Sequence, residues 1–223
     1  MRDPAVRALG YLGKFLISVG LGVLMFLAWI VWGTSYLITD RQQERLEREF
    51  EALPAVARAG GRERLSGPPK GFRPGPGDPV FRLRIPSTGL DAMVVEGVGA
   101  DALELGPGHY PSCRPDFPPP LCTELPAVWP GQRGRVIVSG HRTTYGKPFW
   151  AIDELSEGDA LITETKWGRF TYRVTGKEIV PPSSRDIANP AATGGAEIVL
   201  TTCDPRFSAE RRLIVYGELE APT

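Results

Sequence analysis

Ile198-Val199-Leu200-Thr201-Thr202-Cys203 is an apolar run ending on a thiol, and nine positions past the cysteine Arg212 heads a second run, Leu213-Ile214-Val215-Tyr216. Val, Ile and Thr favour extended backbone, and the Asp, Pro and Ser between the two runs supply turn chemistry. The stretch therefore reads as two strands side by side. Such a pairing brings a thiol and a guanidinium close together.

The same alternation recurs outward from this pair. Phe81, Leu83 and Ile85 alternate with Arg82 and Arg84, and the turn Pro86-Ser87-Thr88-Gly89 leads into a second strand from Leu90 to Val98. Further strands are expected at Arg135–Ser139, Ala160–Glu164, Arg169–Val180, Glu197–Cys203 and Arg212–Leu219, with a short helical piece around Pro148–Leu155. With 22 prolines and 26 glycines punctuating short strands, the chain reads as a mainly β domain closed into a barrel, which leaves no exposed edge.

The first quarter of the chain is different. Phe15 to Leu37 is a run of 23 residues without a charge, long enough to cross a bilayer, with Trp29, Trp32 and Tyr36 towards one end where interfacial aromatics belong. It is longer than the apolar region of a cleaved signal peptide, and no small-x-small site follows Leu37, so it reads as an uncleaved membrane anchor. Flanking charges are tied, Arg2, Arg7 and Lys14 against Arg41, Arg45 and Arg48. Residues 1–14 then form a cytoplasmic N-terminus, 15–37 the membrane span, 38–77 a charged helical stalk and Pro/Gly linker, and 78–223 the folded domain. The stalk is rich in helix formers, with Glu44 and Arg48 at helical spacing, and reads as solvated up to Pro54. From Gly60-Gly61 through the Pro/Gly run ending at Gly77 the chain is a semi-extended tether.

Charge excludes a nucleic-acid partner: 26 basic and 26 acidic side chains cancel, leaving no field for phosphate backbones. The two histidines (His109, His141) and three cysteines (Cys113, Cys122, Cys203) have no metal-ligand spacing, so no metal or other cofactor is expected. What remains is thiol chemistry. Cys203 and Arg212 lie at the ends of strands, and His141 follows the strand Arg135–Ser139 through Gly140. A thiolate, an imidazole and a fixed cation are a sufficient set for acyl transfer, although a lone cysteine in an apolar strand is by itself as readable as a buried, inert thiol.

Leu200-Thr201-Thr202-Cys203 resembles the L-x-T-C signature of sortases, membrane-anchored cysteine transpeptidases of Gram-positive bacteria. Ser139-Gly140-His141-Arg142-Thr143-Thr144-Tyr145-Gly146 resembles the family's G-H segment, Arg212 falls where its arginine is expected, and Gly106-Pro107-Gly108-His109-Tyr110-Pro111 is most similar to class E. The motifs occur in family order, with His141 62 positions before Cys203. The resemblance implies an eight-stranded sortase-type barrel. It implies cleavage of an LPxTG-like signal, of LAxTG type in class E, between Thr and Gly through a thioacyl enzyme, and transfer to a cell-wall amine. Cys203 would be the nucleophile, His141 the acid and base, and Arg212 the substrate or oxyanion cation. Thr202, Thr201 and Tyr145 would bind or orient substrate, and His109 would have a structural role or line the substrate groove. The partners implied are secreted proteins with C-terminal sorting signals, a peptidoglycan-precursor amine and the membrane, with the domain extracellular. The alternatives are a pilin-polymerising sortase and a non-catalytic tethered peptide-binding barrel.

Departures from the pattern are Val199, Asp204 beside the nucleophile, and the long Pro-rich stretch from Cys113 to Pro130. Asp204 would raise the thiol pKa if it pointed at it, so its carboxylate is expected to face solvent or the following turn. Cys113 and Cys122 lie in the Pro-rich stretch, eight residues between them, and read either as a disulfide pinning the loop or as two free surface thiols.

Overall fold

In the computed structural model, which describes residues 4–29, 39–54, 67–184, 187, 189–191 and 193–220, the alternating stretches pair into one closed sheet. The strands are β1 (Pro79–Ile85), β2 (Leu90–Glu96), β3 (Gly108–His109), β4 (Gly134–Ser139), β5 (Ala160–Glu164), β6 (Arg169–Val180), β7 (Ala196–Asp204) and β8 (Arg211–Leu219). Around the barrel the order is β1-β2-β3-β4-β7-β8-β6-β5. The strand that periodicity does not reveal is β3: two residues inside a Gly-Pro-Gly-His turn are too few to alternate, yet they bridge β2 and β4.

Period two explains the core. Phe81, Leu83, Ile85, Val136, Val138, Ile198, Leu200, Leu213 and Val215 point inward with Tyr172 and Phe149, all at most 5% exposed. On the outer face, Val199 and Ile214 are covered by Ile187 from the β6–β7 connection. The expected helical piece after Pro148 is a single 3-10 turn, Ile152–Glu154, whose Ile152 closes the barrel end.

Among the described residues, two helices precede the barrel. Helix α1 (Pro4–Ala28) includes Leu9–Ala28, 20 residues of mean hydropathy 1.9, long and apolar enough to cross a membrane. Residues 30–37 of the expected span, with Trp32 and Tyr36, lie outside the described residues, as does Gly60-Gly61 of the tether. Helix α2 (Thr39–Ala52) departs from the solvated stalk read from its charges. Leu46 is 4% exposed, packed with Met93, Val95 and Ala102, with Phe50 alongside. The Gln43 amide accepts from the Met93 backbone N–H and donates to the Leu105 carbonyl, both at 2.7 Å, and Glu47 pairs with Arg82. Positions 43, 46, 47 and 50 share one helical face, so a short docking stripe hides inside a charged sequence.

Candidate active site

β4 and β7 are parallel neighbours, paired from Gly134↔Ala196 to Ser139↔Thr201 at a constant offset of 62. His141 precedes Cys203 by the same 62 positions. The sequence spacing is thus the strand register carried two residues further, and it delivers both side chains at the same end of adjacent strands. β8 runs antiparallel to β7 and pairs Arg212 with Cys203. Alternation along β7 turns Ile198, Leu200, Thr202 and Asp204 to one face and Thr201 and Cys203 to the other. Cys203, half-buried and the only free cysteine, opens onto a groove of about 800 Å³ that His141, Arg212 and Thr201 also line, walled by Tyr110 and the Pro-rich loop. Arg212 is steered by its own turn, one Nη donating to the Ala209 and Arg211 carbonyls, both at 3.0 Å.

The histidine segment is stitched to the nucleophile strand on both sides of His141. Before it, the Gly140 N–H donates to the Thr201 carbonyl (3.0 Å), and the Thr202 hydroxyl donates to the Gly140 carbonyl (2.7 Å). After it, the Arg142 guanidinium, 5% exposed, donates to the Cys203 carbonyl (3.2 Å) and pairs with Asp204 (2.7 Å) and with Asp153 (2.8 Å). Asp204 also lies 2.8 Å from Arg211. Of the two placements expected for the Asp204 carboxylate, solvent and the following turn, solvent is excluded: it is 8% exposed, on the strand face away from the thiol, between Arg142 and Arg211, the latter at the end of the following turn. That arrangement removes the like-charge penalty an aspartate beside a thiolate would impose.

Burial pushes the His141 imidazole below its ordinary pKa, opposed by the negative charge of Glu104. Glu104 also bonds the Tyr145 hydroxyl and raises its pKa, while the Tyr145 ring lies 5.1 Å from that of His141. Glu104 favours the imidazolium, so Glu104→Gln should move the His141 titration to lower pH, by a modest amount because Glu104 is exposed and its field screened. With two histidines in the chain, NMR titration of the imidazole protons reads this directly; an unchanged or upward-moving midpoint would contradict it.

The remaining residues singled out from sequence fall in different places. Thr201 and Tyr145 are accessible, Tyr145 at 41% exposure. The Thr202 hydroxyl donates to the Gly140 carbonyl, on the residue before His141. His109 takes the structural of its expected roles and not the groove-lining or substrate-binding one: it is 1% exposed, its ring nitrogens 2.7 Å from a Glu96 carboxylate oxygen and 3.0 Å from the Val128 carbonyl, its ring stacked on Trp129. It fills the core because β3 turns it inward. Cys113 and Cys122 form a disulfide (2.06 Å) in the groove wall. The chain-entropy cost of closing so short a loop makes Cys122→Ser destabilising by about 2 to 3 kcal/mol in urea unfolding; a loss below about 1 kcal/mol would show that the loop is held by other contacts. Sequence reading assigned no role to Arg142, Asp153 or Asp204 as a set, because 11 and 62 residues separate their ion-pair partners.

A sortase-domain family model matches residues 83–220. Among characterised relatives, Sortase SrtE1 of Streptomyces coelicolor is 29% identical over 96% of this chain, which spans 58% of that protein's length. Sortase D of Bacillus subtilis is 33% identical over 66% of this chain and 67% of its own. The crystal structure of sortase E1 from Streptomyces coelicolor with a tripeptide in its active site superimposes with a TM-score of 0.56 at 26% identity, covering 67% of this chain and 92% of that one.

Proposed function

This chain belongs to the sortase family of cysteine transpeptidases, and on that premise we propose that it cleaves an LPxTG-like sorting signal, of LAxTG type, between Thr and Gly and joins the protein to a cell-wall amine. The observation that carries this reading is the register: His141 and Cys203 leave adjacent parallel strands at one level, with Arg212 paired across from the thiol. The Cys203 thiolate attacks the threonine carbonyl, and the Arg212 cation, charged at any working pH, balances the tetrahedral oxyanion. His141 gives its proton to the departing glycine amine as the thioacyl bond forms. The neutral imidazole then takes a proton from the incoming amine, whose attack releases the Cys203 thiolate, restores the imidazolium and completes the new amide.

The test is to incubate the full chain in detergent with an LAxTG or LPxTG peptide and an amine, and to follow products by mass spectrometry. The expected product carries the amine on threonine, with LAxTG preferred. No product from either peptide, together with equal peptide binding by Cys203→Ala, would make the barrel a non-catalytic binding module. The proposed topology has the N-terminus in the cytoplasm, α1 in the membrane and the barrel outside, so protease added to intact protoplasts should remove the barrel. Protection of the barrel would reverse that topology.

A further inference from the structure

The catalytic end of the barrel carries a surface that the transpeptidase reading does not use. β1, β4, β6 and β7 run one way and the other four strands run against them, so the catalytic end is where β4 and β7 finish. Helix α2 spans from that end to the other. Its first residue, Thr39, lies so close to Gly146, in the segment after His141, that a side chain on Gly146 would collide with the Thr39 methyl. Near its last turn, the Glu51 carbonyl accepts from Lys166, in the β5–β6 turn where β6 begins. The polypeptide therefore reaches the barrel at the catalytic end and runs away from it.

The point of arrival is next to the membrane segment. The uncharged run of the sequence continues to Ile38, and Trp29, Trp32 and Tyr36 precede Thr39. In sequence the uncharged run leads straight into Thr39, so α2 begins within a few residues of the stretch read as the membrane span. What faces the bilayer there suits it. Phe207, at the tip of the β7–β8 loop, is 76% exposed, more than any other large apolar side chain among the described residues. Its φ of 66° is rarely tolerated by a bulky side chain, and it stacks edge-on against Trp150 at 6.1 Å. Lys147 and Arg206 lie over the Trp150 ring at 5.5 and 4.5 Å. Because Asp153 and Glu154 pair with Arg206, the patch is nearly neutral and its contact is apolar rather than electrostatic.

We infer that Phe207 and Trp150 rest in the headgroup layer of the membrane that α1 crosses, so that the groove of Cys203 opens at the lipid surface. The inference rests on α1 being a membrane anchor. A barrel seated this way meets acyl donors and amine acceptors that are themselves held at the membrane, within a thin shell of solution above it. Only substrates whose reacting bond lies close to the lipid surface would be presented without lifting the domain.

The test uses the full chain in phosphatidylcholine–phosphatidylglycerol vesicles, as Cys203→Ala to remove the free thiol. An environment-sensitive fluorophore is attached through Phe207→Cys, or for comparison through Arg133→Cys, next to the start of β4 at the opposite end. The Phe207→Cys label should emit to the blue and lose most of its emission to lipids carrying a headgroup quencher, while the Arg133→Cys label responds only to a water-soluble quencher. Equal water exposure of the two labels, in a chain that resists carbonate extraction, overturns the inference. Extraction of the chain by carbonate removes the anchor reading and the inference with it, and the activity assay above is unaffected by that outcome.

Discussion

Cys203→Ala is expected to eliminate both transpeptidation and hydrolysis of a sorting peptide while leaving the barrel folded and the peptide bound. The thiol forms the acyl intermediate, and nothing else in the groove replaces it: Thr201 is the neighbouring hydroxyl on that face of β7, and it has no adjacent base in the register that places His141 at Cys203. Loss of a covalent nucleophile removes on the order of 10³-fold or more of the rate, beyond the floor of ordinary assays. Stability should change by less than about 1 kcal/mol, since the side chain is half-buried at a groove wall rather than in the core. Mass spectrometry of enzyme incubated with a slow-turnover peptide separates the steps: the wild type accumulates a thioacyl adduct and the variant shows none. An adduct on the variant would place the nucleophile elsewhere.

Arg142→Ala is expected to have the second largest effect, although Arg142 lines no part of the groove. Its guanidinium ties the Cys203 carbonyl, the Asp204 carboxylate and Asp153 together from the residue directly after His141. Removing it leaves Asp204 buried with half of its compensation, and breaking a buried pair from one side costs about 3 kcal/mol or more. The same change frees the His141 segment from the nucleophile strand on one side, so kcat should fall more than about tenfold while KM changes little. The double variant Arg142→Ala/Asp204→Asn removes the stranded charge with its partner, and should recover most of the stability without recovering kcat. If the single variant shows unchanged stability and an unchanged kcat, the clamp has no role.

These two sites were not equally legible. Cys203 and His141 stand out because each is a chemically rare side chain at or just past the end of an apolar run, and Arg212 because it heads the apolar run that follows Cys203. The offset of 62 between histidine and cysteine is also a property of a parallel ladder and can be counted along the chain. Arg142 and Asp204 are ordinary charges on the surface of a sequence with 52 of them in balance, and only the closure of the barrel end makes them buried partners. The same holds for His109 and Glu96, 13 residues apart, which share a buried hydrogen bond because β2 and β3 lie side by side in parallel.

Alternation of apolar and polar residues determines locally where strands run and which side chains share a face, because a strand's geometry repeats every two residues whatever lies beside it. That was enough for a β-rich domain, for a thiol at a strand end and for the apolar helix before it. Which strand lies against which, and hence what a given face meets, depends on contacts between residues far apart in the chain, for which local pattern carries no signal. Tertiary structure alone brought Arg142 to the buried Asp204, drew His109 into the core through a two-residue strand, and laid the charged helix of Leu46 and Phe50 along the barrel with its first residue at the catalytic end.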